Sequence, residues 1–469
     1  MGNRPVRTLL LLNPPARVPV LRDTFCGHFA KGKFYWPPLD LVVLSGTLAA
    51  HFDVHVLDAV VSRLSVKSAL RALQKLRPDA VVAAVAAATW TEDMAFLAQV
   101  KELTSATIVV SGDYSLAQPA QALRDNDFLD AVLLDFASND LVEFLQGERR
   151  EGLGNVYTTP DAQVPSPVHE QTFFMPVPRH ELFPLHRYHS PQALHHPFAL
   201  LATDYGCPFR CDFCICERVP HKLRDLSNLR EELDYLDGLG VRELRIMDTS
   251  FGSLRDHALH VCEGLRRSRR PLSWACEMRV DSADRELLTF MKGSGCHTVM
   301  FGVESATDEV LDRHCKGITV AQVECAFRLA RETGLRTVAY FIMGLSGETL
   351  ASQEGIIDFC EALDPDFASF TVAIPTWNTS FRNEIVEQGW LLGEGIESCN
   401  PEYLPHWEAP SLPRKKVQEL RNRAMRAFYF RPTYIWRQLL GVRTRYQLLS
   451  LVREGWHLLI SSGLASWRH

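Results

Sequence analysis

The sequence contains no run of eighteen or more uninterrupted apolar residues, which excludes a helix long enough to cross a bilayer. Its start, MGNRPVRTLLLLNPP, lacks the basic flank, long apolar core and small-residue cleavage site of a secretory leader. It also lacks the Ser or Thr of a myristoylation site. No G-x-G-x-x-G is present, so dinucleotide binding has no support, and no internal repeat or low-complexity tract suggests a solenoid or a disordered chain. Charge of one sign is not in excess either: 50 Lys and Arg stand against 56 Asp and Glu in 469 residues, and 46% hydrophobic content is enough to bury a core. These absences predict a folded cytoplasmic protein.

What is present is unevenly placed. From Arg414 to His469 there are twelve Lys and Arg against Glu419 and Glu454, a local charge of +10 that leaves −16 on the rest of a chain whose net charge is −6. Of twelve cysteines, Cys207, Cys211, Cys214 and Cys216 fall within ten residues. In a reducing compartment such a cluster points to metal before it points to disulfides. Cys26, Cys262, Cys276, Cys296, Cys315, Cys325, Cys360 and Cys399 are scattered among mostly apolar neighbours and are expected to be small buried hydrophobes.

Residues 1–150 alternate strand-like and helix-like stretches, from RTLLLLN through PPLDLVVLSGTLAAHF and DVHVLDA to AQALRDNDFLDAVLLD. That rhythm predicts a parallel, doubly wound Rossmann-like sheet, with the loops after Leu12, Leu57, Ala86 and Val110 lining any site. Residues 151–195, rich in Pro and His, are expected to form an ordered linker. From 196 to 400 six strand-like segments, FALLATDYG, VRELRIMDTSF, PLSWACEMRV, TVMFGVES, LRTVAYFIMGL and FASFTVAIP, are separated by helical stretches. They predict a partial (β/α)6 barrel of the TIM type in an α/β chain. Residues 401–469 are expected to be a basic C-terminal helical tail.

The chemistry lies in TDYGCPFRCDFC, directly after the first barrel strand, where Cys207, Cys211 and Cys214 are spaced C-x3-C-x2-C. Three thiolates on one loop can hold three irons of a cubane cluster and leave the fourth open to a substrate. A structural zinc site would need Cys216 or His221 as a fourth ligand, and coincidental core cysteines are the remaining alternative. Cys216, two residues after Cys214, is expected to point elsewhere.

CPFRCDFC in this position resembles the signature of the radical S-adenosylmethionine (SAM) superfamily. With FYWPPLDLVVLSGTLAAHFDVHVLDA in a doubly wound domain ahead of the barrel, the chain is similar to the cobalamin-binding subgroup, which holds methyltransferases, tetrapyrrole cyclases and hopanoid-associated enzymes. The resemblance implies that Cys207, Cys211 and Cys214 ligate a [4Fe-4S] cluster whose open iron chelates SAM and whose electron cleaves it to methionine and a 5'-deoxyadenosyl radical. It places Phe213 against the adenine, and Asp248 and Ser250 of RIMDTSF toward the methionyl group. Glu277 and Arg279 of WACEMRVD, projecting the same way along a strand, would reach the ribose or carboxylate. Glu304 and Ser305 of FGVESATDEVLDRHCKGIT would lie near the cofactor. Gly344 of FIMGLSGET would allow close approach to the adenine, with Gly347 and Glu348 making the turn and helix start. A core aromatic, a helix cap and an ion pair in a barrel layer are the structural alternatives for Phe213, Asp248 and Glu304.

The chain departs from the subgroup in carrying Ser111, Gly112, Asp113 and Tyr114 where relatives have Gly-Gly and His, and LLDFASND where they have a glycine and two acidic residues. No D-x-H-x-x-G is present, so no histidine on the lower face of cobalt is expected. Trp377 and Asn378 in IPTWNTSF are expected to shape the substrate mouth. The implied function is cobalamin-dependent methyl transfer to an unactivated carbon of a lipid or secondary metabolite. The alternatives are a radical rearrangement, cyclisation or ring contraction, and a non-catalytic iron-sulfur electron-transfer or sensing protein in which Cys216 completes the ligand set. The first two need an electron donor such as flavodoxin or ferredoxin. The tail aromatics, spaced as in amphipathic helices, favour peripheral contact with a membrane over nucleic acid.

Overall fold

The computed structural model describes residues 6–25, 27–29, 34–149, 152–164, 171–393, 396, 405–442, 448–449, 451–453 and 455. The N-terminal sheet comprises β1 (Thr8–Asn13), β2 (Asp53–Asp58), β3 (Ala80–Ala84), β4 (Thr107–Ser111) and β5 (Ala131–Leu133), all parallel, and β6 (Val156–Tyr157), antiparallel at the edge. Their order is β2-β1-β3-β4-β5-β6. Helices Leu39–Ala49, Val66–Leu76 and Trp90–Thr104 make the crossovers, so β3 (AVVAA) is buried on both faces and can be wholly apolar. Strand order reverses between β1 and β3, which puts the crevice of this fold just beyond Asn13 and Ala84.

The second sheet runs β7 (Phe198–Leu201), β8 (Glu243–Ile246), β9 (Ser273–Met278), β10 (Cys296–Glu304), β11 (Arg336–Met343) and β12 (Phe367–Val372) in sequential order, every pair parallel. The helices between them bury the outward positions. Leu244 and Ile246 of β8 share a core with Leu229 and Leu233, while Arg245 between them reaches Glu277 of β9. This is the six-stranded partial barrel that the alternation predicts.

The stretch expected as a linker is packed structure. Val156–Tyr157 extends the first sheet, and Thr172–Phe173 pairs with Lys222–Arg224, which pairs in turn with Asp204–Tyr205 beside the cysteine loop. His180 is buried with Nε2 2.7 Å from Glu232 Oε1, and the buried Tyr188 donates its hydroxyl to Asp58 Oδ2 at 2.8 Å. Proline content hid these groups, which bury because each has a polar partner.

At the other end, helix Arg414–Tyr429 lies on helix Leu350–Leu363 and on the edge strand β12. Tyr429 OH donates to Ala368 O at 2.6 Å and accepts from Ala368 N at 3.3 Å, and Arg421 Nε donates to Phe370 O at 3.2 Å, so the helix occupies backbone groups that an edge leaves open. Among the scattered cysteines Cys262, Cys276, Cys296 and Cys360 are buried, but Cys315 and Cys325 are exposed; Cys26 and Cys399 lie outside the described residues. No helix among the described residues is long and apolar enough to cross a membrane.

Candidate functional site

The loop that follows β7 is pinned by the loop that follows β8. Asp248 Oδ1 accepts from Thr203 N (2.7 Å) and Asp204 N (3.1 Å), Oδ2 takes the Thr203 hydroxyl, and the Thr249 hydroxyl donates to Gly206 O. Burial, with Asp204 beside it, holds the Asp248 carboxyl well above the usual carboxylate range. Both oxygens are committed to the neighbouring strand end, so Asp248 positions the cysteine loop where the resemblance had it facing the methionyl group. Ser250 Oγ is buried without a hydrogen-bond partner among the described residues.

Cys207 and Cys214 pack with Ile215 and Cys216 against Phe25, Leu116, Ala117 and Trp377. Cys214 N donates to Cys211 O at 3.0 Å. The Cys216 thiol hydrogen-bonds Cys214 and lowers its titration, while burial pushes Cys211 up to about 11 against the pull of Lys316 and Arg279. Among the described residues no three His, Cys, Asp or Glu side chains converge at metal-ligand distance, so the three thiols are neighbours on one loop rather than a closed ligand set.

Arg279 backs this loop. β9 ends at Met278 and Arg279 is still extended before the turn Val280–Ser282: Arg279 Nη1 lies 3.8 Å from Cys211 Sγ, Nη2 donates to Lys316 O at 2.6 Å, Nε and Nη2 hold Asp281 at 2.9 Å each, and Phe209 lies 3.8 Å beneath the guanidinium. Glu277 instead pairs with Arg245 at 2.7 Å. Each of the two side chains thus has its own protein partner.

Glu304 ends β10 at a register shift, at φ +66°, where a side chain other than glycine's is strained. Its Oε1 accepts from the buried Lys316 Nζ at 2.7 Å. Phe213 lies 6.2 Å from His314, whose Nδ1 is 2.9 Å from Asp212 and whose Nε2 is 2.8 Å from Ser346 O. Ser305 Oγ donates to Glu348 Oε1 at 3.2 Å, and Glu348 Oε2 accepts from Gly344 N at 2.8 Å and Leu345 N at 3.1 Å. Glu348 is thus a buried carboxylate that shapes the turn, and the helix begins afterwards at Leu350 under a Thr349 capping box.

Burial raises Glu348 to about 7. Between its ordinary value and about 7 the folded chain holds a proton that the unfolded chain has released, so this group makes stability fall as pH rises through that window. Glu348→Gln is expected to flatten that slope in urea midpoints taken from pH 5 to 8; an unchanged slope refutes the assignment. Gly344, at φ +85°, makes room for helix Arg414–Tyr429, since an added Cβ would sit 2.9 Å from Val417 Cγ1. Its missing side chain makes room for this packing. Gly344→Ala is expected to cost ~1–3 kcal/mol in the same measurement.

The N-terminal sheet meets this loop at its strand ends. Arg22 Nε and Nη2 hold Asp93 at 3.1 and 2.5 Å while Nη1 donates to Asn13 Oδ1 (2.7 Å) and Pro14 O (2.9 Å). Asp40 Oδ2 takes the hydroxyls of Thr24 and Ser111, the latter at 2.9 Å. Asp113 knits the next loops by accepting from Ala87 N, Tyr114 N and Gly27 N at 2.8, 2.7 and 3.1 Å. Trp90, Tyr114 and Trp377 form a T-shaped series with centroids 4.6 and 5.6 Å apart, and Arg382 lies 3.5 Å over Trp377. Trp377 thereby carries the barrel onto the first sheet.

A family model described as the radical SAM superfamily matches residues 203–360, the stretch that runs from the pinned loop to the helix behind Glu348. Those residues carry a radical SAM domain. A radical SAM domain uses a [4Fe-4S] cluster and SAM, and the thiols, the two cations at Cys211 and the unpartnered Ser250 hydroxyl suit them. The chain is 26% identical over 416 residues to an uncharacterized methyltransferase of Pyrococcus horikoshii, covering 84% of this chain and 88% of that one. It is 25% identical over 444 residues to the anaerobic magnesium-protoporphyrin IX monomethyl ester cyclase of Cereibacter sphaeroides, covering 88% and 70%. The structure of the radical SAM methyltransferase TsrM from Kitasatospora setae, with cobalamin and a [4Fe-4S] cluster bound, superposes with TM-score 0.69 at 18% identity over 98% of this chain and 100% of that one.

Two residues beside the cysteine loop carry no signal in the sequence pattern. His314 and Lys316 stand inside the quoted stretch DEVLDRHCKGIT, yet nothing in their spacing says that the segment folds back against the cysteine loop, where Asp212 N donates to His314 O at 3.3 Å.

Proposed function

We propose that the chain is a radical SAM methyltransferase that acts on an unactivated carbon of a lipid or secondary metabolite, with cobalamin at the strand ends of the N-terminal sheet. One observation carries this: the end of that sheet and the cysteine loop form a single packed cluster through Leu116, Ala117, Trp377, Cys207 and Cys214. A group held at those strand ends would neighbour the radical source. Relatives named as methyltransferases align with most of the chain, which supports the same reaction class.

Cys207, Cys211 and Cys214 would hold the cluster. When bound, it supplies the electron that cleaves SAM to methionine and a 5'-deoxyadenosyl radical. Arg279 and Lys316 set two positive charges beside Cys211 and favour its thiolate. Asp248, Thr203 and Thr249 fix the loop, and Ser250 offers a buried hydroxyl to a polar ligand. Residues 22–25 lie over the strand ends of the first sheet, where Arg22 bonds Asn13 and the Thr24 hydroxyl bonds Asp40. The reaction further needs a one-electron donor of the flavodoxin or ferredoxin class and a reducing cytoplasm; all ten cysteines among the described residues are free thiols.

The test is anaerobic reconstitution with iron and sulfide, with and without hydroxocobalamin, followed by reduction with SAM. The expected result is 5'-deoxyadenosine together with cobalamin that stays bound through gel filtration. Deoxyadenosine with no retained cobalamin would move the assignment to a rearrangement or cyclisation. A loaded cluster with four cysteine ligands and no SAM cleavage would make it an electron-transfer or sensing protein.

A further inference from the structure

The interior of the barrel stays open in its upper half. Met278, Phe301, Phe341 and Phe370 point outward into the core under the helices and are buried, while their inward neighbours Glu277, Gly302, Tyr340, Ile342, Ser369 and Thr371 are half-buried. Barrels of this type ordinarily fill the interior with layers of side chains. Here Tyr340 packs on a separate small core of Ala275, Met300 and Val338, and these form the floor of a chamber. Arg245 reaches into it from β8 and is 3% exposed. Its Nη2 donates to Glu277 Oε1 at 2.7 Å, its Nη1 meets the Met300 thioether, a weak acceptor, and its Nε has no acceptor among the described residues. Arg22, equally buried, has an oxygen acceptor at every nitrogen. An unmet donor on a buried cation is costly, so Arg245 calls for an incoming oxygen. The Trp36 ring, 4.9 Å from the guanidinium, holds it in place.

The acids around Arg245 define the rest of the ligand. Glu277 bonds Arg245 through one oxygen, and its side chain is 42% exposed. Asp23 comes from the segment over the first sheet: burial, then the charges of Asp40 and Glu277, push its carboxyl up to about 7. A cation held between Asp23 and Glu277 relieves that repulsion. A phosphate, with about two negative charges, would meet two carboxylates and a single guanidinium. A carboxylate joined to an ammonium group matches both signs at once. We propose that the barrel chamber binds an amino-acid group of the substrate, its carboxylate on Arg245 and its ammonium on Glu277 and Asp23. This rests on the barrel being the reaction chamber of the enzyme proposed above, and it narrows the substrate to a metabolite that carries such a group.

The test is calorimetric titration of the full chain with its cluster reconstituted, under saturating SAM and without reductant. The probes are phenylalanine, phenylalaninamide and N-acetylphenylalanine. Phenylalanine is expected to bind, and each capped form about tenfold or more weaker, because each leaves one buried charge unpaired. Arg245→Gln is expected to remove the preference over the amide, and Glu277→Gln the preference over the N-acetyl form. Glu277 is half-exposed, so its variant reads the site even where loss of Arg245 unfolds the barrel. No phenylalanine binding by the parent, equal affinity for the three probes, or an unchanged preference in the Glu277 variant would overturn the proposal. So would competition between phenylalanine and SAM, which would give the chamber to the methionyl group of SAM. Binding is read without turnover, so deoxyadenosine formation remains the separate measure of the reaction.

Discussion

Replacing Cys207, Cys211 or Cys214 by alanine is expected to reduce 5'-deoxyadenosine formation to the buffer background and to remove the broad visible absorption of the reconstituted cluster. Each thiol is one of three, so no single loss can be made good within the set, and the chemistry belongs to the group they hold. Cys216→Ala is the informative comparison. Cys216 is buried in the turn Ile215–Arg218 and bonded to Cys214, so its loss is expected to weaken packing while SAM cleavage survives. Anaerobic absorption and deoxyadenosine assays on the four single variants check this; a Cys216 variant as inactive as the other three would contradict three-cysteine ligation.

Asp93→Ala is expected to destabilise the N-terminal half by ~3–5 kcal/mol, because it leaves the Arg22 guanidinium charged and unpaired among buried groups. Neither side chain of this pair has any exposed surface. Burial pushes the Asp93 carboxyl up and Arg22 pulls it back, so the pair is a balance between a large desolvation cost and two direct contacts. With total stabilities of ~5–15 kcal/mol for a domain, the loss approaches the whole margin. Arg22→Met combined with Asp93→Leu removes both charges and is expected to restore most of it. Urea unfolding followed by circular dichroism separates the two; a double variant as unstable as Asp93→Ala would mean that the hydrogen bonds of Arg22 to Asn13 and Pro14 matter more than its charge.

The sheets were legible because strand and helix periods differ, and buried parallel strands such as AVVAA have little choice of composition. The cysteine spacing was legible because the three thiols are local in sequence. What escaped the sequence is what depends on distant contacts. The partners of Glu277 and Arg279, Arg245 on the neighbouring strand and the Lys316 carbonyl, come near only in the folded chain. The packing of Val417 against Gly344 comes from a helix far along the chain. Asp248 looks like a ligand-facing acid at a strand end, but the nearest unpaired donors belong to the neighbouring strand. The tail read as a charged appendage, although its first helix is part of the barrel wall.

While the ribosome is still making residues 414–429, β12 exists as an open edge whose Ala368 and Phe370 backbone groups have no cover, beside a glycine turn with nothing packed into it. The nascent barrel is therefore a strand-pairing hazard until its last wall leaves the exit tunnel. A message truncated before codon 414 should yield aggregates rather than a smaller enzyme.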